Sequence, residues 1–238
     1  MPRTLHARWI LPFVLAAAAW AVWRDARALH WRELRPGLEF ATLRGEPWCR
    51  RGSSAIALLR VDPARERVRV RHFSLEHPGG PLSVVEWQAR TGADAVFNAG
   101  QYYPDWSYMG LLVSGGRVVS DRPHPGFLAA LVADPRTLPP DRAGPEPAPD
   151  PAAGAAAVLD LARTPLDPDS LRWREVAQSF MLLDDRGALR TRRSERVANR
   201  TLVAQDRRGR LVVLVTEGGY TLADLAELLR RAPRTATA

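Results

Sequence analysis

The segment NRTLVAQDRRGRLVVLVTEGGYTLADLAELL, residues 199–229, gives the clearest indication of the fold class. Two apolar runs flank Arg207-Arg208-Gly209, which predicts a β-hairpin with its turn at the glycine. The second run, Leu211–Thr216, is continuously apolar and therefore predicts a central strand. Thr221 and Asp224 then have the spacing that caps a helix, and the leucines after them recur on one helical face. A hairpin followed by a helix favours a mixed fold with antiparallel strands.

The chain before this stretch predicts more of the same elements. Pro36-Gly37 indicates a turn between two strands, and Ser83 with Glu86 forms a capping box for a helix that stops at Gly92. Residues 66–75 alternate apolar and basic side chains, which predicts a strand whose arginines form a solvated face. Other segments predict strands at 54–63 and 94–97, a helix over 170–178, and hairpins turning at Gly115-Gly116 and at 185–187. The fold class is α+β, a mostly antiparallel central sheet with a few packed helices.

The composition indicates a folded protein with a strong positive charge. The chain has 238 residues, 46% hydrophobic and 25% charged, which suits one large domain or two small ones. The formal charge is +8, and all 34 basic residues are arginine. The arginines are spread from end to end without an RNA motif or a recognition helix, so we expect no nucleic-acid partner. Anionic surfaces or phosphate-bearing substrates account better for the charge.

The N-terminal 30 residues predict export. Arg3, His6 and Arg8 precede the apolar run Trp9–Trp23, which is short for a membrane span and matches the core of an export signal. Residues 1–30 are therefore a signal peptide or an N-terminal membrane anchor; the alternative is a buried helix of a cytosolic domain. With either export segment, residues 31–238 are periplasmic, or held at the cytoplasmic membrane facing outward.

Two further features bear on organisation and cofactors. Residues 134–157 are rich in proline and alanine and lack an apolar period, which predicts a flexible surface insertion. Cys49 is the single cysteine, so no disulfide forms within the chain. The histidines lack the spacing of a zinc site, and we expect neither a metal nor another cofactor.

Polar residues follow or begin several predicted strands, where a sheet domain builds a pocket. Each also has an ordinary structural explanation: a turn, a helix cap, a surface ion pair or a loop. The residues are Asn98, Gly100, Gln178, Arg200, Thr201 and Glu217.

Three blocks, VFNAGQYYPDWSYMGLLVSGGRVV, AQSFMLLDDRGALR and the stretch from Ala198 to Leu229, resemble the phosphodiester glycosidase domain family. The resemblance extends from about Leu34 to Arg230. It implies a hydrolase that acts on a sugar phosphodiester, such as one of an envelope polysaccharide. It also places the Asn-Ala-Gly corner, the glutamine and the Arg-Thr pair at the substrate cleft.

The resemblance gives each residue type a chemical role in binding substrate. Arg200 suits a phosphate because a guanidinium binds two of its oxygens at once, with Thr201 beside it. Asn98, next to Gly100, and Gln178 offer amides to sugar hydroxyls. Tyr102, with neighbouring aromatics, offers sugar rings an apolar face; the alternative is packing within a lid loop.

Glu217 is the candidate catalytic carboxylate, because glycosidic cleavage uses carboxylates. The family continues into a further strand that ends in Leu-Asp-Gly-Gly, and this sequence shows no such strand. We therefore expect a final family strand to be missing, the strand Leu211–Thr216 to lack a neighbour, and turnover to be weak. The alternatives to a hydrolase are a non-catalytic envelope protein that binds glycan or phosphate, and a fragment that does not fold stably.

Overall fold

The computed structural model describes residues 29–136, 155–191 and 194–231, and within these ranges it contains two five-stranded sheets and three helices. All strand pairs are antiparallel, so the predicted α+β class is confirmed, with two sheets in place of one central sheet. The strands are β1 (Arg32–Arg35), β2 (Leu38–Arg44), β3 (Ala55–Val61), β4 (Leu111–Ser114), β5 (Arg117–Asp121), β6 (Ala129–Pro135), β7 (Ala156–Asp160), β8 (Trp173–Ser179), β9 (Thr201–Gln205) and β10 (Leu211–Thr216). The helices are α1 (Phe73–Glu76), α2 (Val84–Thr91) and α3 (Leu222–Arg231).

The first sheet has the order β1-β2-β3-β10-β9. β10 pairs with β3 on one side, where Thr216 faces Ile56, and with β9 on the other, where Val215 faces Thr201. The prediction of a central strand is confirmed. The expectation that this strand lacks a neighbour is wrong, because its backbone is paired along both edges and its apolar run is buried between them.

The second sheet has the order β5-β4-β8-β6-β7. The predicted hairpin at Gly115-Gly116 joins β4 to β5. β6 pairs with β7, and Ala133 lies opposite Ala156. The predicted insertion, residues 134–157, is therefore shorter than its sequence pattern indicated, since both its ends belong to strands. Its residues 137–154 lie outside the described residues.

Four predicted elements differ from the structure. Residues 170–178 were expected to be helical, but Trp173–Ser179 forms β8, buried between β4 and β6. Residues 94–97 have no strand pairing, and residues 66–75 have none either and end in α1. The hairpin expected around 185–187 reduces to a single bridge between Leu183 and Leu189.

Local capping signals fix the two longer helices where the sequence places them. Ser83 and Glu86 form the reciprocal capping box of α2, and Gly92 ends it in the left-handed conformation, φ 64°. Thr221 Oγ1 accepts a hydrogen bond from Asp224 N at 3.1 Å at the start of α3. None of the described helices combines the length and the apolar character that a membrane crossing requires.

The hydrophobic core has two parts: one lies between α3 and the first sheet, and the other lies between the two sheets. α3 packs Leu225 and Leu228 against Leu214 and the buried ring of Tyr220. Between the sheets, Leu211 of β10 packs in a cluster with Leu131 and Ala133 of β6 and Ala156 of β7. The first residue of β10 therefore packs against the second sheet, and the candidate site residues lie at the opposite end of the strand, near Thr216.

Candidate functional site

The Asn98 corner is a tight turn closed around a tyrosine. Asn98 is exposed, and its Oδ1 accepts a hydrogen bond from Gly100 N at 3.2 Å. Gly100 is buried, and a Cβ on it would lie 2.1 Å from the Tyr108 hydroxyl oxygen. Only glycine permits that approach. The corner is therefore a fixed turn that carries an exposed Asn98 side chain.

Gln178 lies within β8 and not before a strand as predicted, and it is buried. Its Oε1 accepts from Leu111 N and from His124 N, both at 2.9 Å. Its Nε2 donates to His124 O at 3.1 Å and to Phe127 O at 2.8 Å. An amide side chain has two donors and two acceptor lone pairs, so these bonds use its full capacity. Gln178 ties three chain segments together behind the corner.

The aromatic side chains divide into a buried support and an exposed surface. Tyr108 is buried, and burial raises the pKa of its hydroxyl. Tyr102 packs edge-on against it, with ring centroids 5.4 Å apart. Tyr102, Tyr103 and Trp106 remain partly exposed. Their free faces suit a sugar ring, as the sequence suggests.

His72 lies against this surface, and no sequence pattern marks it as a site residue. The side chain is 4% exposed, and its ring stacks on Tyr102 with centroids 6.1 Å apart. Nδ1 lies 2.7 Å from Ser74 Oγ, while Nε2 has no partner among the described residues. Burial lowers the pKa of the imidazole. A neutral histidine thus lies directly behind an exposed tyrosine.

Arg200 is a half-buried cation just before β9. Its Nε donates to Tyr220 O at 3.2 Å and its Nη2 to Arg196 O at 2.7 Å. Within the described ranges it forms no ion pair with a carboxylate. Desolvation lowers the pKa of its guanidinium, and the charge of Arg196 adds to this effect. Two carbonyls hold the guanidinium in place, and three of its five N–H donors are left for a ligand.

The backbone around Arg200 is fixed by a threonine that the sequence did not single out. Thr216 Oγ1 accepts from Arg200 N at 2.8 Å and donates to Gly218 O at 2.9 Å. A Cβ on Gly218 would lie 2.1 Å from Ser53 O, so the glycine allows the loop after β10 to approach the chain before β3. Thr216 and Gly218 thus fix the backbone of Arg200 and of Glu217.

Thr201 and Glu217 are the other two predicted site residues near Arg200, at the adjoining ends of β9 and β10. Glu217 is exposed, and its carboxylate bonds to no other described side chain, while Asn199 Nδ2 donates to its carbonyl at 2.6 Å. Thr201 begins β9 opposite Val215. No ion pair joins Glu217 to Arg200 within the part of the chain that the structure describes.

The structure assembles the predicted residues into two groups. Asn98, Gly100, Tyr102 and Gln178 meet around Tyr108 and form the corner group, since the Tyr108 hydroxyl donates to Gln178 O at 2.8 Å. Arg200, Thr201 and Glu217 form the strand-end group of the first sheet. Among the described residues, no hydrogen bond, ion pair or ring contact connects the two groups. Residues 29–136, 155–191 and 194–231 also hold no cluster of three or more metal-ligating side chains.

Comparison with known proteins identifies the relatives of this chain. Residues 91–236, more than half of the chain, match the family model described as phosphodiester glycosidase. One similar solved structure is the catalytic domain of zebrafish N-acetylglucosamine-1-phosphodiester alpha-N-acetylglucosaminidase, auto-inhibited by its pro-peptide. The TM-score is 0.51 and the sequence identity 15%, over 85% of this chain and 70% of that chain. At this identity the likeness shows the fold alone. No curated protein sequence matches the chain.

Proposed function

The chain belongs to the phosphodiester glycosidase family, and from this premise we propose that it binds a sugar phosphodiester and hydrolyses its glycosidic bond. The observation that carries the proposal is the Arg200 guanidinium, which is half-buried and has no carboxylate partner among the described residues. A desolvated cation without a counter-charge is costly in the free protein, and an anionic ligand relieves that cost. The bidentate geometry of a guanidinium fits a phosphate.

The other predicted residues take roles consistent with their surroundings. In this proposal the exposed Asn98 amide binds a sugar hydroxyl, and the face of Tyr102 covers the sugar ring. Thr201 lies next to Arg200 and offers a hydroxyl to the same phosphate. Gln178 acts as a positioning residue, because its amide is already fully bonded to backbone groups.

Binding by Arg200 is tested with a matched arginine from the same hairpin. Arg207 lies exposed in the turn between β9 and β10 and bonds to no other described side chain. An N-acetylglucosamine 1-phosphodiester of a simple alcohol is titrated calorimetrically into R200A, R207A and the unchanged chain. Loss of a charge-assisted contact costs about 1.5–3 kcal/mol, so R200A should bind about 10–100-fold more weakly. Equal effects of the two substitutions would contradict the assignment.

Glu217 is the proposed acid–base or nucleophilic group, because its carboxylate is exposed and uncommitted. E217Q should abolish release of the sugar while leaving the affinity for the phosphodiester within about twofold, since the amide keeps the shape of the side chain. Glu195 is exposed and provides the control E195Q. Unchanged turnover in E217Q would show that another group carries the chemistry.

A second candidate function is binding without turnover. It is favoured by the composition of the two site groups, which contain a single carboxylate, whereas glycosidases generally use a pair. Saturable binding of the phosphodiester without release of sugar by the unchanged chain would establish this function. The same result would remove the hydrolase proposal.

Export to the envelope is the proposed location, and it rests on the sequence of residues 1–30, of which 1–28 lie outside the described residues. Deleting residues 9–23 should leave the protein in the cytosol. Envelope fractionation that does not change after the deletion would contradict an export signal or anchor. An envelope glycan containing phosphodiesters is the corresponding proposed substrate.

A further inference from the structure

An arginine-lined groove of about 640 Å³ lies beside the β4–β5 hairpin. Five arginines line it, with three acidic residues among them. The groove is apart from both site groups: Glu175 and Arg174 lie near the start of β8, whereas Gln178 lies near its end, and Arg200 belongs to the other sheet region. The arginines are Arg67, Arg69, Arg71, Arg117 and Arg174.

The floor of the groove is built on a buried carboxylate. Glu175 is 1% exposed and accepts hydrogen bonds from Arg69 Nη1 at 2.9 Å, Val70 N at 3.1 Å and Gly115 N at 3.0 Å. Ser114 Oγ donates to Val70 O at 2.7 Å. These bonds fix the segment before α1 to the hairpin. Arg67, Arg69 and Arg71 are exposed, as the predicted solvated face requires, and Arg69 in addition binds this carboxylate.

Every acid of the groove already has an arginine partner. Glu175 and Asp134 both bind Arg69, and Glu76 binds Arg71 at 2.9 Å. The side chains of Arg67, Arg117 and Arg174 form no hydrogen bond or ion pair with any described residue. Two acids share Arg69, so the five arginines and three acids leave a net charge of +2 on one concave surface. A cleft with an excess of positive charge attracts anions.

We propose that this groove is a second anion site, which binds a ligand carrying two or more phosphate groups. Guanidinium groups bind phosphate oxygens in pairs, and separate guanidiniums around one groove match separate phosphates. The volume exceeds what a single phosphate fills, and the three free arginines outnumber the charges of one phosphodiester. The site does not depend on the function proposed for Arg200.

Inorganic tripolyphosphate is the probe, titrated calorimetrically in about 0.15 M salt, where screening suppresses diffuse attraction. It is titrated into the full chain and into R200A, so that the groove is measured apart from Arg200. We expect saturable binding in both proteins, at least tenfold tighter than that of orthophosphate. R117A and R174A should each weaken it at least fivefold.

R207A is the matched control, because it removes the same charge from an exposed turn of the first sheet. Its affinity should stay within about twofold of the unchanged chain. Equal weakening by R207A would reduce the effect to net charge and overturn the site. Citrate provides a carboxylate anion of comparable charge, and binding of citrate as tight as that of tripolyphosphate would overturn the phosphate assignment. Absence of saturable tripolyphosphate binding would do the same.

Discussion

The Tyr108 hydroxyl donates a hydrogen bond to the backbone oxygen of Gln178 at 2.8 Å, so the aromatic loop and strand β8 are joined at a buried point. Gly100 packs against the same hydroxyl, and the Gln178 side chain binds the segments on the far side. The Asn98 corner is therefore supported by a continuous set of bonded groups.

Gln178→Ala should destabilise the fold strongly. The substitution leaves two N–H groups and two carbonyls without their partner. Those of Leu111 and Phe127 are buried, and each unsatisfied buried group costs about 1–3 kcal/mol. We expect a loss of at least about 3 kcal/mol in the free energy of unfolding, measured by urea denaturation. Gln101 is the control, because its amide has one long contact, 3.3 Å from Ser179 Oγ. A loss no larger than that of Gln101→Ala would contradict the structural role.

Gly100→Ala should destabilise the corner because the new methyl group has no space. Its Cβ would lie 2.1 Å from the Tyr108 oxygen and 2.6 Å from two ring carbons. Overpacking of this kind costs about 1–3 kcal/mol. The comparison is Gly187→Ala, where φ is +76° and the added carbon meets no atom within 4 Å. We expect the larger drop in Tm for Gly100→Ala, and the reverse order would show that the corner is not tightly packed.

The buried His72 should make stability depend on pH. Burial lowers its pKa below the ordinary value of 6.5, so the unfolded chain takes up a proton at a higher pH than the folded chain does. The contribution of the neutral ring is complete above about pH 6.5 and is lost as the pH falls through and below that value. His72→Gln should flatten this fall between pH 7 and pH 5, as measured by urea unfolding.

The comparison for His72→Gln is made at pH 8, where imidazole is neutral in both states. A difference in stability that persists unchanged from pH 8 to pH 5 would indicate a packing effect alone. It would also show that His72 binds its proton equally well in the folded and unfolded chains.

Glu175→Gln should destabilise the groove floor. The amide keeps the volume but places an N–H₂ where the carboxylate accepts from Val70 N and Gly115 N, and it leaves Arg69 with less compensation. Arg69 is partly exposed, so the loss comes mainly from the two backbone N–H groups, at about 1–3 kcal/mol for each that is left unsatisfied. Glu76→Gln breaks the more exposed pair with Arg71, for which about 0–1 kcal/mol is expected. Similar losses for the two variants would contradict the importance of the buried carboxylate.

Local signals predicted a large part of the fold. The capping box of α2, its terminating Gly92 and the glycine turns of three hairpins depend on residues adjacent in sequence, and all are present. β8 was mistaken for a helix because its conformation depends on pairing with β4 and β6, which are distant in sequence. Tertiary pairing overrides the local helical pattern there.

In the candidate site, too, local features could be predicted from the sequence and long-range contacts could not. The Asn98 turn is visible in the sequence because its bond to Gly100 is local. The four hydrogen bonds of the Gln178 amide and the burial of Glu175 depend on segments that are distant in sequence, and no local pattern predicts either. The solvated face predicted for Arg67, Arg69 and Arg71 is confirmed, because alternation shows which side chains share a face, but it does not show that Arg69 also binds Glu175.

The position of β10 has a consequence for how the protein is made. It pairs residue 216 with residue 56, so β3 leaves the ribosome long before the strand that completes its hydrogen bonding is synthesised. Until then β1, β2 and β3 form an incomplete sheet with an open edge, a feature that invites pairing with other chains. Contacts between distant residues also slow folding. Arg200 is held by Thr216 and Tyr220, and its guanidinium is therefore among the last groups of the site to take up its final position.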